Sequence, residues 1–211
     1  MEPFVYALLI LTSVVWLAFI VERGIMLRWR RVVPPEIEAA VESCQSREDV
    51  PMLRRVCQQH KSPMSRLLLV ATEHLDWPKI ENADAIQTRA RHEIARLERG
   101  LVVLEIIVGI APLLGLVGTI AGMMTLFGNI GQSGLNDASR LAKGIALILN
   151  ATLMGLLIAI PSLIFWSYYS KKVETLAVEM ESLCHEFIQR QYREELPEPT
   201  PQKHREQESK V

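Results

Sequence analysis

Three long stretches of this chain carry no charged residue, and they limit the fold more than any other feature. Residues 3–21, 106–136 and 144–170 contain no Asp, Glu, Lys or Arg. A helix needs about 20 mostly apolar residues to cross the roughly 30 Å of hydrocarbon in a bilayer. In lipid the backbone N–H and C=O groups must be satisfied within the segment itself, which favours helices. The pattern predicts an all-α membrane protein with three transmembrane helices. A chain of 211 residues with 49% hydrophobic residues and only 22% charged ones fits that reading, because the charge is segregated between the spans. A net charge of −1 gives no electrostatic reason to expect nucleic acid.

Flanking charge sets the expected orientation. Glu2 precedes the first apolar run, and Arg23, Arg28, Arg30 and Arg31 follow it. A secretory signal has the opposite order, so the first run reads as a retained span. The positive-inside rule then puts the N-terminus outside and residue 23 in the cytoplasm. Lys171 and Lys172 mark a second cytoplasmic flank after the third span, while Arg140 and Lys143 are a mild exterior exception. The expected organisation is a first span over 1–22, a cytoplasmic helical insertion over 23–100 and a second span over 101–127. An external loop follows at 128–143, then a third span at 144–170, a cytoplasmic helix at 171–193 and a disordered tail at 194–211.

Residues 22–100 hold 14 Lys/Arg and 12 Asp/Glu, near balance, so the insertion reads as solvated helices rather than a basic surface. Pro34–Pro35, Pro51, Pro63 and Pro78 punctuate it. Asn82 or Asp84 could cap a long helix. Along that helix Ile86, Ala90, Ile94, Leu97, Leu101 and Leu104 form one stripe that runs into the second span without a breaker. Asn136 or Asp137 could cap the third span. Beyond the membrane, Val173, Leu176, Met180, Leu183 and Phe187 form a second apolar seam, with the helix ending before Pro197. These two helices predict a bundle descending below the membrane. Seams and small-residue faces left half used in one copy predict oligomerisation.

The membrane faces offer small and polar residues. Gly115, Gly118 and Gly122 in the second span, and Ala151, Gly155 and Ala159 in the third, are spaced for close helix packing. At about 100° per residue, Glu105, Pro112, Gly115, Thr119 and Gly122 fall on one face, with Glu105 about 21 Å below Thr119. Thr152 shares a face with Ile148, Gly155 and Ala159, and Asn150 points nearly the opposite way. The plain reading of each threonine is a hydroxyl bonded back to its own helix. Glu105 could reach the membrane interface or serve an ion path.

The segment Ala111-Pro112-Leu113-Leu114-Gly115-Leu116-Val117-Gly118-Thr119-Ile120-Ala121-Gly122-Met123 resembles the second span of the ExbB/TolQ/MotA proton-channel family. Gly144-Ile145-Ala146, Ala151-Thr152-Leu153-Met154-Gly155-Leu156 and Ala159-Ile160-Pro161 resemble its third. Three spans with an insertion after the first fit the ExbB/TolQ branch better than the four-span MotA branch. The resemblance implies a homopentamer in the bacterial inner membrane, with a periplasmic N-terminus and a cytoplasmic C-terminus. The pentamer would surround an ExbD/TolR-like single-span partner carrying a membrane aspartate. Proton-motive force would then drive a TonB/TolA-like protein. It also implies that Thr119 and Thr152 line the ion path, which Glu105 and Asn150 are expected to extend. At Leu147 the chain departs from the pattern, since the best-known relatives carry a glutamate there. Asn150, about 60° from that position, could supply hydrogen bonding without charge. A non-conducting scaffold and a sodium-coupled stator are the alternatives. No cofactor or metal is expected. Cys57 and His60 could be half of a zinc site but lack a second half, the three scattered cysteines do not suggest a disulfide framework, and no catalytic motif indicates an enzyme.

Overall fold

The computed structural model describes residues 2–133 and 138–193. The described residues form helices joined by short turns, with no strand among them. In chain order the helices are α1 Glu2–Met26, α2 Trp29–Val32, α3 Pro35–Ser43, α4 Val50–Gln59, α5 Pro63–Glu73, α6 Lys79–Glu98, α7 Leu101–Ser133 and α8 Ala138–Arg193. Three of them, α1, α7 and α8, are long and apolar enough to cross a membrane. The expected caps at Asn136 and Asp137 and the tail from residue 194 lie outside the described residues.

The chain divides into two compact units. The first joins residues up to Val32 with His92–Ala177. Here α1 lies along α7. Ile107, Ala111 and Ala159 form a small buried cluster, covered by Val15, Trp16, Val103 and Ile158. The outward sides stay apolar and exposed, including Leu11, Val14 and Leu17 of α1, Leu113, Leu116 and Ile120 of α7, and Leu153, Leu157 and Ile160 of α8. In water such surfaces would be prone to association, whereas in lipid they are ordinary. Two hydroxyls in the spans close on their own helices, Thr12 donating to the Leu8 carbonyl at 2.8 Å and Ser162 to that of Ile158 at 2.6 Å.

The helix expected to enter the second span unbroken is divided at Arg99–Gly100. The Arg23 guanidinium is wedged at this break. Its Nη1 donates to the Leu97 carbonyl at 3.4 Å, and its Nη2 meets Glu22 at 3.3 Å. A Cβ on Gly100 would fall within 1.9–2.2 Å of Arg23 Nε, Cζ and Nη2. Leu97 belongs to the last turn of α6, whose carbonyls lack intrahelical partners and favour a cation. A buried arginine thus occupies the space that a side chain at residue 100 would take.

The second unit comprises Val33–Arg91 and the described residues from Val178 on. Its prolines lie at the starts of its short helices. Pro35, Pro51 and Pro63 occupy first-turn positions of α3, α4 and α5, where a missing N–H costs nothing. Ser62 caps α5 by accepting from the Ser65 N–H at 3.1 Å. Met64, Leu67, Leu68 and Ala71 of α5 are buried with Ile37 and Val41 of α3 and Leu53 of α4.

Asn82 caps nothing, since α6 begins at Lys79 behind Pro78. Its buried amide donates instead to the Ala71 carbonyl and to the Tyr192 hydroxyl, both at 3.1 Å. That hydroxyl reaches the carbonyls of His74 at 3.2 Å and Trp77 at 2.8 Å. One phenol near the end of α8 therefore ties together the close of α5, the following turn and the start of α6.

Two seam positions differ from expectation. On α6 the residue turned fully inward is Glu93, with Ile94 only half-buried, and the Glu93 carboxylate meets Arg96 at 3.4 Å. On α8 Cys184 is buried beside Met180 and Phe187, and Leu183 is half-buried. An α-helix turns at 3.6 residues, so a seam can pass through either of two neighbouring positions. The smaller thiol takes the inward place on α8.

The three cysteines are reduced and buried. Burial, with a smaller contribution from Cys44, pushes the Cys57 thiol up to about 12. Burial also raises Cys184 to about 12, helped by Cys57 and Glu181. The thiolate is the reactive form. Cys57 and Cys184 are therefore expected to resist maleimide at neutral pH in the folded protein and to react once it is unfolded, as mass spectrometry would show. Because the folded pKa values lie above the unfolded one of 9.0, folded stability is unaffected by these thiols below pH 9. It is expected to fall as pH rises from 9 towards 12, where only the unfolded thiols ionise.

Candidate functional site

The small residues of α7 and α8 meet along one line. A Cβ added to Gly122 would touch the Ile148 side chain, and one on Gly118 the Ala151 Cβ at 2.8 Å. On Gly115 it would lie 2.8 Å from the Ala151 carbonyl oxygen and 2.9 Å from the Thr152 Cα. On Gly155 it would lie 2.6 Å from the Ala111 carbonyl oxygen and 3.2 Å from the Gly115 Cα. Numbers rise on one helix as they fall on the other, so the two spans run antiparallel in backbone contact. Ala151 and Ala159 are buried on this side of α8, Ala159 within the cluster at Ile107 and Ala111. All six small residues singled out in the sequence thus lie in packed positions. Gly118 also receives the Val5 side chain of α1, with 3.1 Å to Val5 Cγ1 from the added Cβ.

The two threonines flank this line. Thr152 Oγ1 donates across the interface to the Gly115 carbonyl at 3.4 Å. Thr119, one turn beyond Gly115, donates to the Leu116 carbonyl of its own helix at 2.7 Å. Both are half-buried. With its proton so engaged, each oxygen retains lone pairs that can accept a hydrogen bond. A hydroxyl of this kind can pass a hydrogen bond along a hydrated path but cannot carry the charge itself near neutral pH.

The other two predicted residues stand apart. Glu105 is exposed in the second turn of α7, about 15 Å along the helix from Gly115. Asn150 is exposed, on α8 but off the buried Ala151–Gly155 line. Leu147 is 56% exposed, so the position where the best-known relatives carry a carboxylate presents an apolar surface. One polar neighbour went unnoticed in the sequence. The Tyr6 hydroxyl of α1 donates to the Leu147 carbonyl at 3.4 Å, over a small pocket bounded by Val5, Gly118, Gly122 and Ala151. A tyrosine near a span's outer end ordinarily reads as an interfacial anchor, and nothing in its local sequence marks the contact.

The profile of the MotA/TolQ/ExbB proton channel family matches residues 59–182, more than half of the chain and all of this α7–α8 line. The chain belongs to that family. Among curated relatives, a putative biopolymer transport protein ExbB homolog of Methanothermobacter thermautotrophicus is 29% identical over 68% of this chain and 51% of its own length. The biopolymer transport protein ExbB of Helicobacter pylori is 40% identical over 38% of this chain and 56% of its own length. That of Aquifex aeolicus is 32% identical over half of this chain and 68% of its own. The chain thus spans between about half and two thirds of the length of these three relatives. The matched family is one of proton channels, and this ExbB-type chain has three helices long and apolar enough to cross a membrane.

Proposed function

We propose that this ExbB-type chain is the ring-forming subunit of a proton-driven motor of the inner membrane, with its N-terminus outside. In this reading several copies, five by family analogy, surround an ExbD/TolR-like helix whose aspartate takes up and releases protons. Thr119 and Thr152 line the path, while Glu105 and Asn150 offer polar groups at its cytoplasmic and outer parts. The work would be delivered to a TonB/TolA-like protein. The observation that carries the proposal is the pair of half-buried hydroxyls beside the α7–α8 line, Thr152 bonded to the Gly115 carbonyl and Thr119 to that of Leu116, within a family-matched segment. A chain with threonines but no ionisable group at mid-membrane needs a partner to supply the charge. The broad exposed apolar faces of α7 and α8 also suit burial against other helices.

The test is to purify the complex gently from its native membrane, weigh its components, and measure proton flux in liposomes. The expected result is co-purification of a single-span protein with one membrane aspartate. Thr119→Val and Thr152→Val should each lower flux by roughly tenfold, the cost of about one lost hydrogen bond on the path, with assembly unchanged. Asn150→Leu should lower it less. A homo-oligomer without such a partner, and without flux, would instead support a scaffold that kept the fold. The exposed Leu147 is the feature favouring that second reading.

A further inference from the structure

Basic residues commonly follow a membrane span, but at the end of α1 they are neither neutralised nor loose. Arg28, Trp29, Arg30 and Arg31 are all exposed, Trp29 by 39%. No ion pair joins the three arginines to a carboxylate among the described residues, and the nearby Glu22 is engaged with Arg23 at 3.3 Å. Arg31 Nη1 lies 4.0 Å from the Met26 Sδ, which carries no charge. The segment is held on both sides. Leu27 and Val32 are buried, at 0% and 1% exposure, and the Arg31 N–H donates to the Arg28 carbonyl at 2.9 Å. Three guanidinium forks thus leave one tight, anchored turn.

The position of the turn limits what it can meet. It follows directly on a helix long and apolar enough to cross a membrane, whose last residues Ile25 and Met26 are 40% and 46% exposed. The third span ends beside it. Tyr6 bonds the Leu147 carbonyl and Tyr169 bonds that of Ile20, so numbers rise together along α1 and α8. The Tyr169 hydroxyl would also lie 3.0 Å from a Cβ on Gly24. Lys172, one turn past Tyr169, therefore stands at the end where α1 gives way to Arg28–Arg31. Its Nζ lies 5.8 Å from the centre of the Tyr168 ring. No carboxylate among the described residues pairs with it, whereas Lys171 is taken by Glu174 at 2.8 Å. The exposed Trp29 and Tyr168 rings suit the headgroup layer, with an apolar body and a polar edge.

A guanidinium is a planar fork that matches two oxygens of a phosphate. Lipid phosphates lie at the depth of this turn, and four basic groups clustered beside a span attract anionic lipid. A zwitterionic headgroup brings its own cation and leaves the excess charge unmatched. We infer that Arg28, Arg30, Arg31 and Lys172 bind anionic phospholipid headgroups, with Trp29 and Tyr168 set against the glycerol region. The inference uses none of the ion-path residues and stands or falls apart from that reading. It gives the chain a lipid selectivity at one membrane surface.

The full chain in dodecyl maltoside would be mixed with equal amounts of dioleoylphosphatidylglycerol and dioleoylphosphatidylcholine, and the retained lipids counted by native mass spectrometry. The anionic lipid is expected to be retained about tenfold over the zwitterionic one, with the preference falling as salt rises. R31Q should lower the preference about fivefold, and R28Q/R30Q/R31Q should abolish it. R55Q, at an exposed arginine of α4, should leave it unchanged. Flanking charge also guides insertion, so R31Q, which keeps Arg23, Arg28 and Arg30, is the probe if the triple variant is not recovered. Equal retention of the two lipids by the unaltered chain overturns the proposal. So does an unchanged preference in the triple variant, or in R31Q where the triple variant is lost. Glycerol phosphate displacing the retained phosphatidylglycerol at equal concentration would make this a site for soluble phosphate. Displacement by a decaglutamate peptide would make it a protein contact, and either result overturns the proposal.

Discussion

Gly155→Val is expected to prevent recovery of folded protein from the membrane. A Cβ at this position would meet the Ala111 carbonyl oxygen at 2.6 Å, the Gly115 Cα at 3.2 Å and the Ala111 carbonyl carbon at 3.4 Å. All three are backbone atoms, so no side chain can swing aside and the two spans must part. In lipid, helix association rests largely on close van der Waals contact, because the surrounding chains are as apolar as the helices. Parting the helices by even 0.5–1 Å forfeits about a quarter to a half of that attraction. Overpacking costs about 1–3 kcal/mol for one position, and here the contacts at Gly115 and Gly118 would loosen with it. Gly109→Ala is the control, because nothing lies within 4 Å of a Cβ there. It should leave yield and thermal midpoint unchanged or slightly raised, as expected from the better helix propensity of alanine. Equal stability for the two variants would mean that α7 and α8 do not meet along this line.

The second large effect lies at the Arg23 wedge. Gly100→Ala should destabilise the protein by about 2 kcal/mol, by driving the guanidinium from its place under the last turn of α6. Arg23→Ala should cost a similar amount, since it strips the Leu97 carbonyl of its cation and opens a void. The two losses should not add. With Arg23 removed, the space beside residue 100 is empty, and Gly100→Ala should cost nothing or gain up to about 1 kcal/mol from the smaller conformational freedom of alanine in the unfolded chain. Thermal or chemical denaturation of the four proteins gives the coupling, expected at about 1–3 kcal/mol for groups in direct contact. Additive losses would show that the arginine does not occupy that space.

Much of the fold was legible because lipid and proline impose strong local rules. The charge-free runs announced the three long apolar helices, and the prolines of the insertion announced its division into short helices. The spacing of Gly118 and Gly122 pointed to close helix packing but not to the helix that fills it. The candidate site was less legible. Thr119 and Thr152 were found through their setting in two recognisable segments, since a lone threonine in a span says little. The packing at Arg99–Gly100 was hidden because the side chain that fills the space there, Arg23, lies 77 positions away (100 − 23). The inward turn of Glu93 reverses the hydropathy rule outright. Its carboxylate meets Arg96 one turn along, so a charge can occupy a place that an apolar pattern assigns to Ile94. Asn82 looks like a cap until the chain is folded and it meets Tyr192.

That last contact bears on the order of synthesis. The second unit is assembled from two pieces of chain, and its closing tie is Tyr192, among the last residues described. The first piece must leave the ribosome and then wait while two membrane spans are made and inserted. At about 5–20 residues per second, the roughly 90 intervening residues take on the order of 5–20 s. Throughout that interval Ile86 and Ala90 lack their α8 neighbours Cys184 and Ile188. Nascent chains on neighbouring ribosomes would meet one another in this state, with the same unpaired apolar surfaces. The hazard to this protein is therefore greatest before it is finished, and a chaperone that holds residues 33–91 would do most good while the third span is still being translated.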